Sequence, residues 1–298
     1  MTFETDEPGF SLEKDLAELA RTNPEVARAE ANLERVKAEI LRDPHFVRNR
    51  ADGRVHISDL KHMAISPKAY EYACRHPKPR TRPMTVGAVA DRLVFGFGRA
   101  VCYDGVRTGA KWEAFRSANA DAEICIASEW EDANRAAEAV LRDPVACELL
   151  KAPKAEYQRV MHWTAYGLPF AAGVPGIRGG VDLIAGGVLA DLKVTTDVEP
   201  LALCKHVTNM LWPQQLAAYV DGARSLGLEI ETAALICVEA TPPNDVVVLT
   251  FNEGDFEDAR KSLVLWTEKL KACERIGAWP GHVQSAIPYE RPAWMDEG

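Results

Sequence analysis

The sequence predicts an α/β (α+β) domain in which a central mixed sheet lies between helical layers. Three observations predict it. Helical periodicity dominates residues 57–151, strand-like runs take over from Glu156, and helical patterns are interposed between those later runs. The helical part begins at Ile57 and runs to Arg75, with a break near Ile65-Ser66-Pro67. Met84–Phe95 reads as an apolar helix containing Gly87 and Asp91. Residues 128–151 read as another, with a stop near Asp143-Pro144. Strands are expected at Glu156–Thr164, on both sides of Gly186-Gly187, at Ala233–Val238 and at Val246–Phe251. A helix is expected at Trp212–Leu226 and a last one from about Glu253 to Ile276. Upstream, residues 11–42 are patterned as two helices broken at Asn23-Pro24. Val26, Ala29, Leu33, Val36 and Ile40 form a short seam suited to packing on the body or on a partner chain. Two parts follow: a helical N-terminal extension, 1–55, and a main domain, 56–298.

Size and composition set the class. A chain of 298 residues, 47% hydrophobic and 27% charged, can bury a large core and has no apolar run near the roughly 20 residues a membrane span needs. The N-terminal residues lack a signal-peptide pattern, which makes a cytoplasmic location the default expectation. The seven cysteines are dispersed, without any Cys-x-x-Cys pair, which argues against a disulfide framework or a zinc site and for reduced, mainly buried thiols. A net charge of −9 disfavours nucleic acid on its face. Its distribution counts more. Arg75-His-Pro-Lys78-Pro-Arg80-Thr-Arg82 contains no acid, and Arg48, Arg50 and Arg54 lie just upstream. Such a basic stretch suits a phosphate backbone, or it is a solvated loop.

The chemistry concentrates on the Gly-Gly hairpin. A two-residue Gly-Gly loop favours a primed turn with positive φ, which fixes the register. Ala185 then faces Val188, Ile184 faces Leu189, Leu183 faces Ala190, and Asp182 faces Asp191. Alternation puts Val181, Leu183, Ala185, Val188, Ala190, Leu192 and Val194 on one apolar face, with Asp182, Asp191 and Lys193 on the other and Gly180 across from the lysine. Opposed carboxylates have Cβ atoms roughly 5 Å apart and repel. A shared proton or a hard cation such as Mg²⁺ would offset the repulsion, and a nearby lysine suits a phosphate or an attacking water. Metal-assisted phosphodiester hydrolysis is the chemistry suggested; a surface hairpin whose acids face water is the alternative.

These residues carry a resemblance. Gly-Val-Asp182 followed by Ala-Asp191-Leu-Lys193 resembles the PD-(D/E)xK nuclease motif, and Gln215-Leu-Ala-Ala-Tyr219 resembles the Q-x-x-x-Y helix of its recombination-nuclease branch. Lys111-Trp112-Glu-Ala-Phe115, Asp143–Leu150, Val238–Val248, Trp279-Pro-Gly and Pro292-Ala-Trp294 are similar to the exonuclease VIII-like family, so the resemblance spans roughly residues 57–295. It implies a restriction-endonuclease-like core and a Mg²⁺-dependent exodeoxyribonuclease, with Mn²⁺ able to substitute, acting on duplex ends in recombination. Several relatives are phage or prophage proteins. A structure-specific endonuclease and a non-catalytic DNA-binding accessory protein are the alternatives on the same scaffold. DNA is the implied partner, with a single-strand annealing protein and a homo-oligomer as further expectations. Asp182, Asp191, the Leu192 carbonyl and Asp91 would hold metal, Lys193 would serve the water, and Gln215 and Tyr219 would support it. Arg75, Lys78, Arg80 and Arg82 are the candidates for DNA contacts. Two departures stand out. Asp91 in Gly87-Ala-Val-Ala-Asp91 replaces the family's histidine, and Gln158 falls where a further acidic ligand often lies, leaving Glu156 or Gln158 as that ligand.

Overall fold

A computed structural model describes residues 54–76, 80–167, 176–283 and 285–290. The expected N-terminal helices and their seam, Arg48, Arg50, Lys78 and Trp294 lie outside them. In chain order the elements are β1 (Val55–His56), α1 (Ile57–Leu60), α2 (Pro67–Arg75), α3 (Arg82–Phe95), β2 (Arg99–Cys102), α4 (Gly109–Ala118), β3 (Ala122–Cys125), α5 (Ala127–Arg142), α6 (Pro144–Leu150), β4 (Glu156–Trp163), β5 (Ile177–Ala185), β6 (Val188–Thr195), α7 (Pro200–Asn209), α8 (Trp212–Ser225), β7 (Thr232–Glu239), β8 (Val246–Phe251) and α9 (Glu257–Ile276). Short 3₁₀ turns follow α1 and precede α9. Among the described residues no helix is long and apolar enough to cross a membrane.

The local signals act as expected. Ser66 caps α2 by accepting from the Ala69 amide at 3.1 Å, with Pro67 at the first helical position. Asp143 does the same for α6, accepting from Ala146 at 2.8 Å, so the predicted stop at Asp143-Pro144 separates two helices. Gly277, at φ +72°, ends α9 in the left-handed conformation that glycine adopts without strain. Beyond α9 the chain returns to α2: Trp279 stacks on Tyr70 with centroids 5.8 Å apart, and the Pro280 carbonyl accepts from the Lys68 amide.

Six strands make one mixed sheet. β6 and β7 run parallel, as do β1 and β5, while β4–β5, β5–β6 and β7–β8 are antiparallel. Buried side chains fall into two clusters, one on each face. The first joins Val181, Ile184, Leu189, Leu235 and Cys237 to α1, α2, α8 and α9. The second joins Leu183, Ala185, Ala190, Leu192, Ala234, Ile236 and Val238 to α3, α5 and α6. The predicted class, a central mixed sheet flanked by helices, is what the chain adopts. The expected face assignment needs one correction. Val181 packs in the first cluster and Leu183 in the second, and Ile184 and Leu189 bury the face assigned to the acids. The alternation breaks at Asp182. Its neighbour on β4, Gln158, has φ +51° and interrupts the β4–β5 ladder between Tyr157↔Leu183 and Arg159↔Val181.

Sequence periodicity missed the second sheet. β2 and β3 pair in parallel on either side of α4, a small β-α-β unit outside the main sheet, and α7 was also unread. All seven cysteines are free. Cys125, Cys237 and Cys273 are buried, whereas Cys102 and Cys204 are exposed, fewer buried thiols than expected.

Trp163 shows how closely α8 lies on the sheet. A Cβ added at Gly222 would sit 2.7 Å from the indole Cδ2, and one added at Gly179 would meet Tyr219 Cε1 at 2.5 Å. Trp163 is 2% exposed and cannot yield. Gly222→Ala is therefore expected to lose about 1–3 kcal/mol despite the better helix propensity of alanine. At roughly 2–4 °C per kcal/mol for a domain of this size, the melting temperature should fall by about 5 °C. Differential scanning calorimetry checks it, and an unchanged or higher midpoint would contradict the packing.

Candidate active site

The turn at Gly186 (φ +55°) and Gly187 (φ +81°) sets the register read from the sequence: Ala185↔Val188, Ile184↔Leu189 and Leu183↔Ala190. There the ladder ends. β4 runs along one edge of β5 from Glu156↔Ile184 to Trp163↔Ile177, so β6 and β1 share the other edge, β6 at residues 183–185 and β1 at 177–178. Past the hairpin β6 follows β7 as far as Thr195↔Glu239. The two hairpin strands thus fork, and the Asp182–Asp191 pair expected inside the ladder stands at the fork instead. The Asp182 side chain spans the gap, its Oδ2 accepting from the Leu192 amide at 2.8 Å.

Gln158 and Asp91 close the fork from other elements. The Gln158 amide nitrogen donates to Asp91 Oδ1 at 2.8 Å and to Asp182 Oδ1 at 3.2 Å. Asp91 is brought by α3, whose Gly87 lies against Val194 of β6. Asp191 is buried and ion-paired with Lys193, two residues along the same strand. The Lys193 Nζ also lies 5.5 Å from the centroid of the Trp212 ring. On α8, Gln215 and Tyr219 are one turn apart, as their spacing predicts, and the Gln215 amide donates to the Tyr219 hydroxyl at 2.9 Å. Gly179, lacking a side chain, lets that ring lie on β5.

These groups perturb one another. Burial, then the charges of Asp191 and Asp91, hold the Asp182 carboxyl well above the usual carboxylate range, only partly opposed by Lys193. Burial and then Asp191 raise Asp91 to about 6. Burial alone would lower Lys193, but Asp191 and Asp182 outweigh it and keep the ammonium above its ordinary range. Burial, followed by Asp191, pushes Tyr219 up to about 12, so it is a neutral phenol at physiological pH. For a carboxyl raised on folding, the penalty is absent below the unfolded value and grows as pH climbs through the folded one. Asp91→Asn removes that penalty while keeping an oxygen for Gln158. In EDTA at pH 8 it should stabilise the protein, by at most about 3 kcal/mol at ~1.4 kcal/mol per unit between 3.8 and about 6, and by almost nothing at pH 4. Urea melts at the two pH values measure this, and an equal effect at both would contradict the coupling.

The donor set fits a hard divalent cation in kind: two or three carboxylates whose repulsion a cation would relieve, an amide, and the Leu192 main chain. As the side chains stand, no group of three His, Cys, Asp or Glu among the described residues is close enough to hold an ion. Asp191 is turned onto Lys193, and Asp182 onto Leu192 and Gln158. Of the two β4 candidates the structure brings Gln158 to the aspartates. Glu156 is exposed and ion-paired with Arg159.

The basic stretch is less free than its sequence suggested. Arg75 is paired with Glu71 at 3.1 Å, Arg80 with Glu123, and Arg82 with Asp132. The segment itself has no acid, but folding delivers Glu123 and Asp132 from β3 and α5, more than forty residues away. Lys78 lies outside the described residues. Trp212, which the structure brings beside Lys193, was not singled out by the sequence. Its position three residues before Gln215, hence on the same face of α8, was the available signal.

Comparison with known proteins gives a likeness of fold. No protein-family profile matches the chain, and no curated protein matches it either. Among solved structures, the crystal structure of a "Putative exonuclease" from Eubacterium rectale aligns with 82% of this chain and 92% of its own, with a TM-score of 0.57 and 12% identity. The two share a fold. A second structure, SSO0001, covers 86% of this chain and 98% of its own at 15% identity, but its TM-score of 0.33 carries no argument.

Proposed function

We propose that this chain is a divalent-cation-dependent deoxyribonuclease, an exonuclease of the exonuclease VIII-like type acting on duplex DNA ends. The observation that carries the reading is the fork of β5 and β6, which gathers Asp182, Asp191, Lys193, Asp91 and Gln158 at one point of the sheet. The likeness to a protein named as an exonuclease agrees with it. Asp182, Asp191, Asp91 and the Leu192 carbonyl would hold Mg²⁺, with the Gln158 oxygen available after the amide turns over. When bound, the cation would polarise the phosphodiester and acidify a water. With Asp191 committed to the cation, Lys193 would be released to orient the attacking water and to neutralise charge growing on the phosphate. Gln215 and Tyr219, the latter neutral, would fix the lysine without adding charge. Arg80 and Arg82 would reach a phosphate only by leaving Glu123 and Asp132.

One observation favours a second reading, a non-catalytic DNA-binding protein on this fold. Gln158, a neutral amide, ties Asp91 to Asp182 where another carboxylate would strengthen metal binding. End-labelled linear duplex with Mg²⁺ separates the two. The nuclease reading expects progressive loss from one end, absent with excess EDTA, with Lys193→Ala and on closed circular DNA. Cutting of closed circles would make the protein an endonuclease. A gel shift without cutting in Mg²⁺ or Mn²⁺ would leave the DNA-binding reading.

A further inference from the structure

We propose that Trp212 is a positioning residue for Lys193: the indole face holds the ammonium at the fork when Asp191 is engaged elsewhere. The inference rests on the reading of Lys193 as the lysine that serves the reaction. The Lys193 Nζ lies 5.5 Å from the Trp212 ring centroid, inside the ~6 Å reach of a cation–π contact, and tryptophan is the strongest partner for one. The ring is 7% exposed and held from its own side by His206, which meets it edge-on with centroids 5.2 Å apart and planes at 85°. The α7–α8 corner aims it: Leu211, at φ +57°, turns the chain, and Trp212 and Pro213 open α8.

The chemistry explains why a ring serves where another carboxylate would not. Lys193 now has its charge satisfied by Asp191. Once that carboxylate is withdrawn, a buried ammonium needs another place for its charge. A second anion would bind its N–H groups and repel the phosphate. The π face attracts the charge without adding an anion, so N–H donors of the ammonium stay available for water and phosphate oxygen. Trp212 also shares α8 with Gln215 and Tyr219, so one helix would present both supports of the lysine.

Fluorinated tryptophans with one to four fluorines, placed at position 212 of the full chain by nonsense suppression, weaken the ring face with little change of shape. Two measurements are made: turnover on linear duplex in Mg²⁺, and the proton shift of the Lys193 ε-methylene, which the ring current moves whether or not DNA is cut. The expected result is an upfield-shifted methylene in the wild type, and kcat falling stepwise by about tenfold in total across the series, with KM and melting temperature unchanged. An unshifted methylene overturns the contact. A shifted methylene with kcat flat across the series overturns the positioning role and leaves Trp212 as packing. If the wild type shows the shift but cuts no DNA, the nuclease reading fails and takes the positioning role with it, the contact itself being confirmed by the same spectrum.

Discussion

Lys193→Ala is expected to lower cleavage of linear duplex by about a thousandfold or more and, in the same protein, to make folding depend on Mg²⁺. The first effect follows from removing the ammonium that pairs with Asp191 beside Asp182 and that would meet the charge growing on a phosphate. The second follows from Asp191, which is 3% exposed and paired with Lys193. Deleting one member of a buried pair strands the other, at a cost of about 3–5 kcal/mol. At roughly 2–4 °C per kcal/mol the midpoint in EDTA should drop on the order of 10 °C. A divalent cation that binds Asp191 should restore part of that loss. Melting curves in EDTA and in Mg²⁺, run beside the cleavage assay, check both. A variant that is destabilised but not rescued by Mg²⁺ or Mn²⁺ would argue that Asp191 is not a metal ligand.

Gln158→Glu carries the other large effect, and its sign reverses with metal. Without a cation, a further carboxylate joins Asp91 and Asp182, whose ionisation is already disfavoured by burial and then by the charge of Asp191. The amide's two donated hydrogen bonds are lost as well. The variant should melt several degrees below wild type in EDTA at pH 8, with the gap closing towards pH 4 as the carboxyls take protons. With Mg²⁺ the added oxygen ligand and charge should tighten binding tenfold or more and raise cleavage at low metal concentration. Isothermal titration with Mn²⁺ measures the affinity. Weaker binding by Gln158→Glu would mean that residue 158 does not face the ion.

The two variants probe parts of the site that differ in how far they could be read beforehand. Lys193 and Asp191 are two residues apart on a strand whose register Gly186-Gly187 dictates, and the hairpin pairs as that turn requires. Gln215 and Tyr219 needed only helical spacing to share a face. Gln158 was visible only as one of two options on β4. Choosing it over Glu156 took the positive φ at Gln158 and the Glu156–Arg159 ion pair, neither of which follows from residue types. The basic stretch is the opposite lesson. Its composition was plain, yet Glu123 and Asp132 reach Arg80 and Arg82 through contacts that no local window contains.

Local rules therefore determined the hairpin, the Asp191–Lys193 strand, the capped helices and the layered class, because turn sterics, side-chain period and caps act over a few residues. The tertiary structure alone decided that β5 and β6 fork at Asp182, that Gln158 and not Glu156 reaches the aspartates there, and that Trp212 lies against Lys193. β5 is drawn aside by β4 and β1 and β6 by β7, and the Gln158–Asp91 hydrogen bond joins residues 67 apart in the chain. Which strands compete for one edge is settled by the packing of the whole sheet between its helices, and no segment of the sequence holds that information by itself.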